Sequence, residues 1–203
     1  MFGKKSYWSP WLLVALTWPA CPASNVAIYD FANVGTGTLE PAQALAVEIF
    51  ARAGIAIRLD TATSVDGKPL GSDFSASALD GCIQSPTPAV IRAQILPHAP
   101  PGFPARALAY SLPCAQRGTQ ITLYADRMEA VSRTANASFY RVLGYSLAHE
   151  LGHVLRRSNE HDARGLMKDV WTRQDWRRAA VSIIFNSPRH PPNSNLSASL
   201  SQP

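Results

Sequence analysis

Residues 139–155 limit what this chain can fold into more than any other stretch. Leu143, Leu147, Leu151, Val154 and Leu155 fall on or near one face of a helix, and such a stripe needs a partner surface on which to be buried. Within the run stands His149-Glu150-Leu151-Gly152-His153. Residues four apart in a helix lie one turn apart on the same face, so both imidazoles can reach one ion at the usual Zn–N distance of about 2.0–2.1 Å. Glu150 is rotated by about 100° from His149, which places its carboxylate beside that ion instead of on it. A general base sits there when it takes a proton from a metal-activated water.

A catalytic zinc needs a third protein ligand and an open position. In the metzincin pattern H-E-x-x-H-x-x-G-x-x-H the glycine would fall at Arg156 and the last histidine at Asn159, and this sequence departs at both places. His161, two residues further on, is the best replacement, because neutral imidazole is the commonest ligand and a loop can absorb two residues. Glu160 and Asp162 would also serve chemically.

The first residues differ from the rest of the chain. Lys4 and Lys5 make a basic start, an apolar stretch runs from Trp11 to Trp18, and Ala20, Cys21, Pro22 and Ala23 follow. This predicts a secretory signal peptide over 1–23, and a secreted or periplasmic protein. An apolar stretch of about eight residues is far short of the roughly 20 that cross a bilayer, so no stable membrane span is expected. Lipid attachment at Cys21 is the alternative, though Trp18-Pro19-Ala20 departs from the usual Leu-led box.

Without the leader, Cys82 and Cys114 form an even pair in an oxidising compartment, and a disulfide between them is expected. Lys4 and Lys5 lie in the leader, so the formal charge of +5 falls by two in the mature chain, too mild a balance to imply nucleic acid. With 203 residues, 46% hydrophobic and 16% charged, the chain suits one cored domain and is short for two.

Along that domain, 26–32 predicts a buried strand, 40–53 an amphipathic helix stopped by Gly54, and 55–59 a second strand. Together these make a β-α-β opening with parallel pairing. Thr, Ser, Asp, Gly and Pro dominate 60–88, a long surface loop. A third strand is expected over 89–96, and then the prolines at 97, 100, 101 and 104 make a rigid loop leading to a short edge strand near 108–112. Another strand follows at 120–124 and a helical turn at 127–133. The last helix should start at the cap Thr172 and run to about 184 with Trp176 inward, and 187–203 reads as a disordered tail. The fold class expected is therefore α/β, a single domain over 24–186 with a twisted mixed sheet. The helix 139–155 would form the floor of a cleft, bordered by 105–112 or 120–124 as the edge strand.

The stretch His149-Glu-Leu-Gly-His-Val-Leu-Arg-Arg-Ser-Asn-Glu-His161-Asp-Ala-Arg-Gly-Leu-Met167, followed by Trp171, resembles a group of uncharacterised secreted bacterial proteins, notably from acidobacteria. Their pattern is similar to H-E-L-G-H-x-L-L-G-x-N-x-H-x-x-x-G-I-M-R-x-x-W. The likeness extends to 26–32, to Ala-Gly-Ile-x-Ile at 53–57, to 95–104 and to Asp126-Arg127, which is most of the mature chain. The resemblance implies a metzincin-like zincin, with its third histidine at His161 and Met167 in a methionine turn beneath the metal. A core methionine filling a gap is the alternative for Met167. Arg156 and Arg157 stand where that group tends to have Leu and Gly, so the turn toward the third ligand is where this chain departs.

The expected function is that of a monomeric zinc-dependent peptidase acting on a peptide or protein substrate, with Zn2+ as cofactor and Glu150 as general base. An extended substrate would add to the edge strand. The competing expectation is an exported zinc-binding module without turnover, which uses the same ligands but has no need of Glu150. Tyr110, Tyr124, Tyr140 and Tyr145 are candidates to stabilise an oxyanion. The basic run Arg156, Arg157, Arg164, Lys168, Arg173, Arg177 and Arg178 reads as a solvated helix face, with an acidic partner as the alternative.

Overall fold

The computed structural model describes residues 23–71, 89–115 and 117–181. The expected leader (save Ala23), Cys82, most of the loop 60–88 and the tail 187–203 lie outside the described residues. Among those described, nine elements follow in chain order: β1 (Ser24–Asp30), α1 (Thr36–Arg52), β2 (Ile57–Ala62), β3 (Val90–Leu96), β4 (Ala109–Ser111), β5 (Ile121–Tyr124), α2 (Ala125–Ala135), α3 (Phe139–Arg156) and α4 (Arg173–Val181). The strands form one mixed sheet of order β2-β1-β3-β5-β4. All neighbours are parallel except β4, which runs antiparallel to β5 and closes one edge. The class is thus α/β with a mixed sheet, as the alternation of strand and helix patterns predicted. No helix among the described residues is long and apolar enough to cross a membrane.

The β-α-β opening forms with parallel pairing, but its boundaries shift for a local reason. Gly54 takes φ +73°, in the left-handed region that glycine enters freely, and the amides of Gly54 and Ile55 donate to the carbonyls of Ala51 and Phe50 at 2.9 and 3.0 Å. These two bonds are a Schellman closure of α1, and they use the backbone of Ile55 for capping. The strand expected from residue 55 therefore begins at Ile57. At the other end α1 starts at Thr36, before the expected residue 40, because Leu39 and Thr38 already donate to Gly35.

Of the two segments expected to border the cleft, β4 is the edge strand and β5 lies inside, between β3 and β4. Its composition explains this: Ile121, Thr122, Leu123 and Tyr124 are all buried, whereas β4 is half-buried throughout. A strand covered on both faces reads as a continuous apolar run.

The helices α1 and α3 pack against each other so closely that a Cβ on Gly144 would meet the Ala42 carbonyl oxygen at 2.8 Å. Leu143, Leu147, Leu151 and Val154 are buried in the common core with Val26, Ile28, Ile91 and Ile95 of the sheet. On α4 the expected cap is present: Thr172 Oγ1 accepts from the Asp175 amide at 3.2 Å and the Thr172 amide donates to the Asp175 carboxylate at 2.8 Å. This reciprocal pair is a capping box, closed by aspartate. Cys114 is buried and disulfide-bonded, while Cys82, its expected partner, lies outside the described residues.

Helix α3 ends in the same type of closure as α1. Arg157 takes φ 54°, its amide donates to Val154 O at 3.2 Å, and the Ser158 amide donates to His153 O at 3.2 Å. The turn for which glycine was expected is therefore made by an arginine in the left-handed region. An L-residue held there costs about 1–2 kcal/mol, most of which glycine avoids. Arg157→Gly should accordingly stabilise the protein by about 1 kcal/mol, seen as a rise of roughly 2–4 °C in Tm for a domain of this size. An unchanged or lower Tm would count against strain at this position.

Candidate metal centre and cleft

The side chains of His149 and His153 project from one face of α3, one turn apart, and that of His161 meets them from the segment that follows the helix. His153 Nε2 lies 3.0 Å from His149 Nε2 and 3.2 Å from His161 Nε2. One potential ligand atom from each of the three lies within 4.8 Å of the others. Glu160 and Asp162, the chemical alternatives to His161, do not join this group.

The tautomers of the two helical histidines follow from their partners. Nδ1 of His149 lies 2.8 Å from the Leu166 carbonyl oxygen, and Nδ1 of His153 lies 2.8 Å from that of Ser158. A carbonyl only accepts, so each Nδ1 carries the hydrogen and donates it. In the neutral rings, each Nε2 then presents a lone pair, and the two lone pairs face each other with no hydrogen between them. Burial, the largest cause, holds His153 down to about 4 and His149 below the usual histidine range, so neither ring readily gains a second proton near neutral pH. The three rings could together hold a cation. Two nitrogens at about 2.0–2.1 Å from one ion and at the tetrahedral angle stand about 3.4 Å apart, close to the separations seen here.

Glu150 points to the same cleft and is 8% exposed. Burial pushes its carboxyl up to about 7, and the Ser111 hydroxyl of β4 offsets part of this. That hydroxyl is near enough to act electrostatically but makes no well-formed hydrogen bond within the described residues. Met167 packs beneath the helix: a Cβ on Gly152 would collide with Met167 Sδ. Its neighbour Leu166 supplies the carbonyl that orients His149, so the methionine and the His149 ring share one support.

The cleft has a volume of about 1090 Å³. One wall is the segment 104–112 that includes β4, another is α2 through Ala130, Val131 and Thr134, and the floor is α3. A cluster of rings closes one side, with Tyr145 5.3 Å from Trp171 and Trp171 4.5 Å from Trp176. Of the four tyrosines considered from sequence, Tyr110 and Tyr145 line the cleft and Tyr124 and Tyr140 do not. Tyr124 instead packs edge-on to Phe103 at 4.8 Å, and burial raises its hydroxyl to about 12. Two of the basic residues are paired: Lys168 is bonded to Asp175 at 2.6 Å and Arg156 to Asp162 at 3.2 Å.

Sequence reasoning missed Ser111, Asp169 and the carbonyls of Ser158 and Leu166. Asp169 lines the cleft with its carboxylate 3.9 Å from His161 Nε2. No spacing signal marks these residues, since main-chain carbonyls carry no residue identity and Ser111 reaches Glu150 only through the pairing of β4 with β5.

Comparison with protein families, with curated proteins and with solved structures finds no match.

Two outcomes are expected of the metal-free protein. A carboxyl raised in the folded state binds its proton more tightly than in the unfolded chain, so it costs stability as pH rises from the unfolded value toward the folded one. With 4.5 rising to about 7, the cost at neutral pH is about 3 kcal/mol. Glu150→Gln should therefore gain on the parent between pH 5 and 7 and hold a constant lead above, as measured by denaturant unfolding at each pH. The lowered histidines act with opposite slope, adding stability as pH rises, but equally in both proteins. A lead that does not vary with pH would refute the buried carboxyl. Gly152→Ala should displace Met167 and cost about 1–3 kcal/mol by overpacking, and a Tm equal to that of the parent would show that Met167 is not held there.

Proposed function

We propose that this chain is a zinc-dependent peptidase of the metzincin-like zincin type, exported, and acting on peptide or protein substrates. The observation that carries this reading is the pair of hydrogen-free Nε2 lone pairs of His149 and His153, 3.0 Å apart, with a buried carboxyl beside them in an open cleft. His149, His153 and His161 would hold the ion. Zinc bound there supplies a Lewis acid that acidifies water and polarises an amide carbonyl.

The chain's own residues supply the rest. Glu150, raised by burial to about 7, accepts the proton of the attacking water and delivers it to the departing amine nitrogen. General bases work best with a pKa near the working pH, because both protonation states are then accessible. The β4 edge orients the substrate. Leu108 O accepts from the Tyr124 amide at 3.0 Å and the Leu112 amide donates to Gln120 O at 2.8 Å, so the intervening parity leaves the peptide groups of Ala109 and Ser111 facing away from β5. An extended peptide pairs with these two residues and lies across the floor formed by α3. The apolar wall of Tyr145, Trp171 and Trp176 excludes water and accepts a side chain of the substrate. The disulfide at Cys114 supports an oxidising compartment.

The test is zinc content together with hydrolysis of a mixed peptide library. The parent should hold one zinc and cleave, Glu150→Gln should hold zinc and lose about 10²–10⁴-fold in turnover, and His161→Ala should lose most of the zinc. Unimpaired cleavage by Glu150→Gln would sink the general-base role. One bound zinc with no peptide cleaved would favour the exported zinc-binding module.

A further inference from the structure

His161 is held differently from the other two histidines. Its ring comes from a segment without regular secondary structure, its side chain is 34% exposed, and among the described residues no hydrogen bond reaches its Nδ1. The rings of His149 and His153 each have a main-chain carbonyl to aim them. His161 has its neighbour. The Asp162 amide donates to Met167 O at 2.7 Å, which fixes the backbone next to His161 to the support beneath the helix. The Asp162 carboxylate accepts from Arg156 Nη1 at 3.2 Å, which ties the same residue to the last turn of α3. Arg156 is only 27% exposed, and its charge is felt at both His149 and His153.

We infer that the Arg156–Asp162 ion pair is a brace for the third ligand, positioning His161 against the ligands on α3 and neutralising the guanidinium that would otherwise repel a cation there. This rests on the reading of the three histidines as a metal centre. It assigns a role to Arg156, which the reading of the three ligands alone leaves without one. Arg156 and Asp162 are positioning residues and touch neither substrate nor ion.

Exposed pairs alone shift an equilibrium only a few-fold, whereas partners that orient metal ligands typically change affinity 10–100-fold. The pair stands between these cases, and an effect of about tenfold is expected. Zinc affinity is measured by competition with a chromophoric chelator, on full-length protein shown by circular dichroism to be folded. Arg156→Met should weaken zinc binding about tenfold. Asp162→Asn should weaken it further, because it also leaves the guanidinium uncompensated. The double variant should be no worse than Asp162→Asn alone, and Arg156→Lys should stay within about threefold of the parent. The cobalt(II)-loaded single variants should lose visible absorption intensity as the third nitrogen loosens. If Asp162→Asn fails to fold, the Arg156→Met and Arg156→Lys pair decides the matter.

Single variants within threefold of the parent, or losses that simply add in the double variant, overturn the brace while a collapse of affinity in His149→Ala leaves the metal centre standing. If His149→Ala itself binds zinc as tightly as the parent, the metal centre fails and the brace with it.

Discussion

Two hydrogen bonds from imidazole Nδ1 to main-chain oxygen govern the arrangement of this site. His149 donates to Leu166 and His153 to Ser158, each at 2.8 Å, and both rings are thereby turned so that their remaining nitrogens converge. Those carbonyls come from the segment after α3, so the geometry of the histidine group depends on how the helix stops and the chain returns. The stop is the left-handed Arg157, whose closure also bonds the Ser158 amide to His153 O. One peptide neighbourhood therefore ends the helix and aims a ring. The return is secured by Met167, which lies under Gly152 where no side chain larger than hydrogen fits without displacement.

Burial gives these groups their character. Glu150 sits in the floor of the cleft and is pushed up to near neutrality, while the histidines beside it are pushed down. Both shifts have the same leading cause, loss of solvation by the charged form, so each favours the neutral form of its group. Buried imidazole lone pairs facing one another beside a poorly solvated carboxyl are unfavourable to keep. The fold accepts this cost at the point where α3, the sheet edge and the 157–172 segment meet.

Much of this was legible in the sequence, and what was not has physical reasons. Periodicity marked α3 because an 18-residue helix repeats its stripe often enough to be unmistakable. The spacing of His149 and His153 then placed two rings on one face without further information. The parallel β-α-β opening was legible too, but the start of β2 was not, because Ile55 looks like a strand residue and is used as a cap. Two candidate edge strands could not be ranked from sequence, since edge position depends on which neighbour each finds and not on either strand alone. Arg157 was the most misleading residue. As a letter it breaks the expected glycine, yet backbone sterics at that position penalise arginine without forbidding it. The support from the carbonyls of Ser158 and Leu166 was invisible for the opposite reason: it is made by peptide groups that every residue has.

The closure at Arg157 also changes what the segment behind it can tolerate. Surface loops ordinarily accept insertions and deletions, because little depends on their length. Between His153 and Met167, however, the chain is stitched to the helix at Ser158, at Asp162 and at Leu166 in turn. A residue added or removed anywhere in that interval would shift at least one stitch out of step with the helix. This surface segment is as intolerant of length variation as a strand in the middle of a sheet.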